Sequence, residues 1–105
     1  MHILVQTTLP DEASARALAR VLVETRLAAC VTLGAPVESL YHWRGAIEHP
    51  REVPLVAKTR AGLFNALADA IRAGHPYELP EILAVSITDG TSDYLAWIDA
   101  NTRPD

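Results

Sequence analysis

His75-Pro76-Tyr77-Glu78-Leu79-Pro80-Glu81-Ile82, hereafter the connector, carries more chemistry than a plain turn needs. Its two prolines lack a backbone N–H and restrict the residues before them, so a continuous helix is excluded. Gly74 ends a predicted helix before the connector, and an apolar strand begins at Ile82. Polar groups on rigid backbone between two regular elements are typical of a binding site. A polar turn that only separates helix from strand explains the same residues, and the local pattern alone favours that interpretation.

Outward from the connector, the periodicity of apolar residues predicts the regular elements. Helical spacing in residues 13–26 and 61–73 predicts two amphipathic helices, with Ala15, Leu18, Val21 and Leu22 on the inner face of the first. Short apolar and β-branched runs predict strands, and a brief helix follows the last of them. The predicted strands are residues 2–8, residues 27–33 resuming at 37–44 after an interruption at Gly34-Ala35-Pro36, residues 53–59 and residues 82–87, and the brief helix is residues 94–100.

The middle of the chain predicts a long, bent β-hairpin. Side chains alternate between the two faces of a strand, so Tyr41 and Trp43 share one face of its first strand. Gly45-Ala46 is the expected turn. Pro54 lies inside the returning strand and cannot donate a hydrogen bond to a neighbouring strand. We therefore expect an edge position or a bulge at Pro54.

The predicted order β-α-β-β-α-β is that of the ferredoxin-like sandwich, a single α+β domain over residues 1–105. Its two helices cover one face of an antiparallel sheet and leave the other face in need of a cover. Aromatic residues exceed what so small a domain buries, so we expect a closed, symmetric homo-oligomer. These residues are Tyr41, Trp43, Tyr77, Tyr94 and Trp97.

The composition narrows the class of protein. Of 105 residues, half are apolar and 21% are charged, as in globular domains. The net charge of −4 and the lack of a basic run argue against nucleic acid or an anionic membrane as a partner. No apolar run reaches transmembrane length, and residues 1–5 have no signal-peptide pattern. The single cysteine, Cys30, excludes an internal disulfide and fits the reducing cytoplasm, where we expect the protein to be located.

Metal ligands follow no linear motif in this sequence. Cys30 and the four histidines have none of the spacings of known metal motifs, so a site has to be assembled in space or between subunits. His75 is the best candidate, because Tyr77 and two carboxylates accompany it. Cys30 lies in an apolar strand, where an unreactive buried thiol is the commoner case.

No enzyme motif is present either. The sequence has no nucleophile elbow, P-loop or dinucleotide fingerprint, so we predict neither catalytic residues nor an organic cofactor. Lys58, the only lysine, is a candidate anion anchor or one half of an ion pair on the sheet. Tyr41 and Trp43 are candidates for a pocket wall, although strand aromatics more often serve packing.

Six segments, in order over nearly the whole chain, resemble the CutA family of divalent-cation tolerance proteins. They are Pro10-Asp11-Glu12, Leu27-Ala28-Ala29-Cys30-Val31, Ser39-Leu40-Tyr41-His42-Trp43-Arg44-Gly45, Lys58-Thr59, the connector, and Asp93-Tyr94-Leu95-Ala96-Trp97. The resemblance implies a ferredoxin-like protomer in a tight trimer similar to PII signalling proteins. It also implies a relation to divalent metals, chiefly copper. The family's recurrent positions correspond here to Cys30, Tyr41, Trp43, Lys58, His75, Tyr77 and Glu78, which the resemblance places in a cleft between subunits.

The chain departs from the family pattern in two respects. Many relatives read W-E-G-K where this sequence has Trp43-Arg44-Gly45-Ala46. The copper ligands proposed in the family include a histidine and a cysteine at positions that correspond here to Gly74 and Thr7. Since only His75 remains of that set, tight copper binding is not expected.

Three functions remain open at this point. The first is a cytoplasmic, non-enzymatic trimer that responds to divalent metals and binds copper or another divalent cation weakly through His75 and Cys30. The second is a PII-like sensor that binds a small anionic ligand in a cleft between subunits. Its ligand residues would be Tyr41, Trp43, Lys58, Tyr77 and Glu78. The third is a scaffold for another protein, which the sequence does not identify.

Overall fold

The computed structural model describes all 105 residues and has the predicted α+β architecture. The strands are His2–Leu9 (β1), Cys30–Leu33 (β2), Val37–Glu38 (β3), Tyr41–Trp43 (β4), Ala46–Glu48 (β5), Arg51–Arg60 (β6) and Leu83–Ile87 (β7). The helices are Glu12–Glu24 (α1), Phe64–Gly74 (α2) and Ser92–Ala100 (α3), and a 3-10 turn at Ala61–Leu63 leads into α2. The main sheet has the order β2-β6-β1-β7 with every pair antiparallel. This arrangement confirms the ferredoxin-like prediction.

One face of the sheet packs on α1 and α2 to form the core. The odd-numbered residues of β1 and β6 point to this face because side chains alternate along a strand. The core residues, all nearly or fully buried, include Ile3, Val5, Leu9, Ala15, Leu18, Leu22, Val53, Leu55, Ala57, Leu67 and Ile71.

The prediction that Val21 belongs to the inner face of α1 was wrong, because Val21 is half-exposed. The buried stripe of α1 is centred on Leu18 and Leu22, and at 100° per residue Val21 lies about 80° round the helix from that centre.

The first helix has clear ends, and its C-terminal end shortens the second strand. Asp11 caps the N-terminus by accepting a hydrogen bond from the backbone N–H of Ser14 at 2.7 Å, which lowers the pKa of its carboxyl group. At the other end, the N–H groups of Leu27 and Ala28 both donate to the carbonyl of Leu22. These residues therefore close the helix, and the predicted strand begins only at Cys30.

The predicted hairpin is divided into two parts. β3 pairs with β6, whereas β4 and β5 form a separate two-stranded ribbon. The strand expected over residues 37–44 is interrupted at Ser39-Leu40, where the N–H of Ser39 donates to the carbonyl of Pro50. The turn lies at Arg44 and Gly45, whose φ angles are 50° and 82°, one residue earlier than predicted.

Pro54 lies opposite a bulge, and β6 is an inner strand and not an edge. β6 pairs with β1 on one side and with β2 and β3 on the other. The register shifts by one residue between the Leu33–Leu55 pair and the Val37–Glu52 pair, so three residues oppose two. Pro54, which has no backbone N–H, lies in this irregular segment. Its carbonyl accepts a hydrogen bond from the N–H of Gly34.

The other face of the sheet is covered in part by α3. Ile98 is buried there, and His2 Nε2 lies 2.8 Å from a carboxylate oxygen of Asp99. The remainder of this face stays open, with Leu83 and Val85 of β7 about half-exposed. None of the three helices is long and apolar enough to span a membrane.

Candidate functional site

The connector is fixed to β1 through His75. The ring nitrogen Nε2 lies 2.7 Å from the carbonyl oxygen of Thr8, and Nδ1 accepts from the N–H of Tyr77 at 3.1 Å. A carbonyl oxygen only accepts, so these partners assign the proton to Nε2 and leave Nδ1 unprotonated. Both nitrogens of His75 are therefore engaged within the chain.

A second anchor joins the connector to β6. The phenol of Tyr77 donates to Oε2 of Glu52 at 2.8 Å, and Glu52 is only 4% exposed. Burial raises the pKa of Tyr77, and the hydrogen bond to Glu52 raises it further. Tyr77 is consequently a neutral donor to a buried carboxylate.

The third anchor joins the connector to the ribbon. Nη2 of Arg44 donates to both carboxylate oxygens of Glu78, at 2.7 and 3.1 Å. Both side chains are 70% exposed, and the guanidinium carbon of Arg44 lies 5.4 Å from the ring centroid of Trp43. Both partners of this ion pair line the space between ribbon and connector.

That space, hereafter the groove, is a cavity of about 390 Å³. It brings together four of the five residues predicted for a ligand cleft, namely Tyr41, Trp43, Tyr77 and Glu78. A second cavity of about 600 Å³ adjoins it and shares the walls formed by Tyr41 and Trp43.

Three charged residues at these cavities were not predicted as site residues from the sequence. Arg44 and Glu48 line the groove, and Glu52 lines the adjoining cavity. The substitution of arginine in the W-E-G-K pattern was the only signal in the sequence that singled out Arg44.

Lys58, the fifth predicted cleft residue, lies elsewhere in the single chain. Its Nζ donates to the phenolic oxygen of Tyr94 at 3.2 Å, and this bond raises the pKa of Lys58. Lys58 is opposite Leu4 on β1, whereas His75 contacts Thr8, so about 14 Å of strand separates the two places. A cleft that combines Lys58 with the groove concerns the assembly of several copies, and it stays a prediction.

Cys30 and His75 do not meet either. Cys30 is opposite Lys58 across the β2–β6 pair and is partly buried. No group of three histidine, cysteine, aspartate or glutamate side chains in the chain is arranged to hold a metal ion. With both nitrogens of His75 also engaged, the donors of one chain do not fit a divalent metal.

Known proteins match this chain over nearly its whole length. Residues 3–101 match the sequence model of the family described as "CutA1 divalent ion tolerance protein". The "Divalent-cation tolerance protein CutA" of Pectobacterium atrosepticum is 43% identical over 101 residues, which are 96% of this chain and 92% of the relative.

Solved structures agree with this match. The "Divalent cation tolerance protein (Cut A1)" of Thermus thermophilus has a TM-score of 0.95 at 41% identity, covering 98% of this chain and 100% of its own. CutA1 of Oryza sativa has a TM-score of 0.96 at 36% identity, covering 99% and 95%.

Proposed function

The chain belongs to the CutA1 family of divalent ion tolerance proteins, and we propose that it acts in tolerance to divalent cations as a cytoplasmic, non-enzymatic homotrimer of PII-like form. The observation that carries the assembly is the uncovered apolar surface. Leu40, Leu79 and Leu83 are exposed and line one cavity at the open face of the sheet. Monomeric soluble proteins rarely leave large apolar patches in water.

The edge of the sheet supports the same assembly. β7 pairs only with β1, so its other edge presents free backbone N–H and C=O groups. Its sequence, Leu83-Ala84-Val85-Ser86-Ile87, contains no charge or proline that would discourage pairing with another chain. Burial of this edge and of the open face between copies satisfies both the backbone groups and the apolar side chains.

Direct metal binding in this proposal is weak and depends on assembly. Copper or another divalent cation would be bound through His75, with Cys30 as a further donor from elsewhere in the assembly. His75 has to release a hydrogen bond before it coordinates, which lowers the affinity. Cys30 is the only cysteine and supports the location in a reducing compartment.

A sensor function is the second candidate, and the groove favours it. Three aromatic side chains and several charged ones converge on a cavity of the size that small ligands occupy. If the ligand of the sensor is a small anion, Lys58 of a neighbouring copy supplies the positive charge that binds it.

Calorimetric titration of metal-free protein with copper(II) and zinc(II) tests the metal role. We expect weak, saturable binding that is lost in His75→Ala and kept in His49→Ala, since the His49 side chain is 74% exposed on the surface. His75→Gln retains a donor for the Thr8 carbonyl and separates loss of the ligand from loss of the connector's position.

Either of two results would contradict direct binding at His75. Equal binding by all three variants would move the metal to other donors. No binding at all would make cation tolerance an indirect role of this chain. Light scattering in the same buffer tests the trimer separately, since a folded monomer at micromolar concentration would overturn the assembly.

A further inference from the structure

The groove carries an excess of negative charge. Glu48 and Glu78 line it, and Arg44 is the only permanent cation among its lining residues. The groove of one chain therefore attracts a small positively charged molecule.

Aromatic rings surround these carboxylates. Tyr41, Trp43 and Tyr77 all line the groove. The face of an aromatic ring attracts a cation, and this attraction is greatest for large, weakly hydrated cations such as guanidinium or alkylammonium. A divalent metal instead needs six or more oxygen donors, or a compact set of nitrogen and sulfur donors, which the groove does not offer.

Arg44 already displays this mode of recognition. Its guanidinium lies beside the Trp43 ring and donates to Glu78 from the ribbon turn. Both partners of the ion pair are 70% exposed. Because exposed ion pairs contribute little free energy, a ligand with the same group displaces Arg44 at small cost.

We propose that the groove is a binding site for an organic cation that carries a guanidinium or ammonium group. In the free protein Arg44 occupies this site as a tethered competitor. A ligand would pair with Glu78, lie against Trp43 and release Arg44 to solvent. This site is independent of the metal role proposed above, since it uses neither Cys30 nor the ring nitrogens of His75.

Titration with ethylguanidinium, followed by NMR of the tryptophan indole N–H signals, tests the site. The chain has two tryptophans. Trp43 lines the groove, and Trp97 stacks on Tyr94 in α3. We expect a saturable shift of the Trp43 signal with little change at Trp97.

Arg44→Asn removes the competitor and keeps the turn. Arg44 has a φ of 50°, and Asn followed by Gly is the preferred pair for a turn with two positive φ angles. We expect this variant to bind ethylguanidinium about two- to fivefold more tightly, the range that an exposed ion pair allows. Arg20→Gln is the matched control, because Arg20 forms an equally exposed pair with Glu24 on α1 at 3.1 Å; its affinity should equal that of the wild type.

Glu78→Gln should weaken binding severalfold, and Glu24→Gln should leave it unchanged. Absence of a saturable shift in both the wild type and Arg44→Asn would overturn the site. Unchanged affinity in Arg44→Asn would overturn the role of Arg44 as competitor. Acetate binding as tightly as ethylguanidinium, or zinc(II) displacing it, would overturn the assignment to organic cations.

Discussion

Glu52 is the residue with the most demanding environment in the connector region. Its carboxylate is almost fully buried, and Tyr77 is the side chain that donates to it. A buried carboxylate without a donor carries the full cost of its lost hydration. Tyr77 therefore stabilises the fold in addition to lining the groove.

Tyr77→Phe removes this donor and keeps the ring. We expect the free energy of unfolding to fall by about 1–3 kcal/mol, because a hydrogen-bonding group is left buried without its partner. Urea denaturation measures the change. Tyr94→Phe is the control, since the Tyr94 phenol accepts from Lys58 in an exposed position and its loss should cost clearly less.

The pH dependence gives a second test of the same pair. The pKa of Tyr77 is raised in the folded state, so its contribution to stability is complete below the ordinary tyrosine pKa of about 10 and is lost as the pH rises beyond it. The difference in phenolate absorbance between wild type and Tyr77→Phe should show Tyr77 ionising above pH 10. Ionisation at the ordinary value would contradict the buried contact with Glu52.

At the scale of residues, the sequence identified the connector residue of each of the three anchoring contacts but not its partner. His75, Tyr77 and Glu78 stand together in the chain and were recognised as candidates for that reason. Their partners come from three distant elements, and only the strand register brings them to the connector. Thr8 and Glu52 therefore could not be found by local pattern, and Arg44 was noted only as a departure from the W-E-G-K pattern.

At the scale of elements, the ribbon β4–β5 depends on a two-residue turn. Arg44 and Gly45 both have positive φ, the combination of a type I′ hairpin turn, which matches the twist of the flanking strands. The sequence predicted a hairpin but missed the interruption at Ser39-Leu40, because side-chain alternation continues through it. It also left two interpretations of Pro54, and the register selects the bulge.

Gly45→Ala tests the turn. Nothing lies within 4 Å of the added methyl group, so the expected loss of about 1–2 kcal/mol comes from backbone strain alone. Thermal unfolding followed at Trp43 reports on the ribbon. In Gly74→Ala, the control, φ is not positive and the new methyl group meets only Leu18 Cδ1 at 3.3 Å, so a smaller loss is expected. Equal losses would contradict the turn argument.

At the scale of the whole molecule, the order of elements was enough to predict the fold, because few topologies join two βαβ-like halves into one sheet. The surface proposed for assembly could not be predicted in the same way. The sequence shows which apolar residues share a face of a strand. Whether that face is exposed depends on how much of the sheet α3 covers. Leu83 and Val85 read as ordinary strand residues until the register places them on the open face.

Val85→Asp tests the proposed interface. Val85 is 47% exposed in one chain, so a carboxylate there should cost the monomer little but disfavour its burial between copies. We expect light scattering to show dissociation, and the melting temperature of the wild type to rise with concentration. Val23→Asp, on the outer surface of α1 at 43% exposure, should leave the oligomer intact. Dissociation in both variants, or in neither, would argue against the open face as the interface.

The strand register also determines how long β1 lacks its partner strands while the chain is being synthesised. His2 is paired on one side with Arg60 and on the other with Ile87. At a translation rate of about 5–20 residues per second, Ile87 is added roughly 4–17 s after His2. Until then at least one edge of this apolar strand has no partner within the chain. The register therefore makes the period before residue 87 is added the one in which β1 is most open to pairing with another chain.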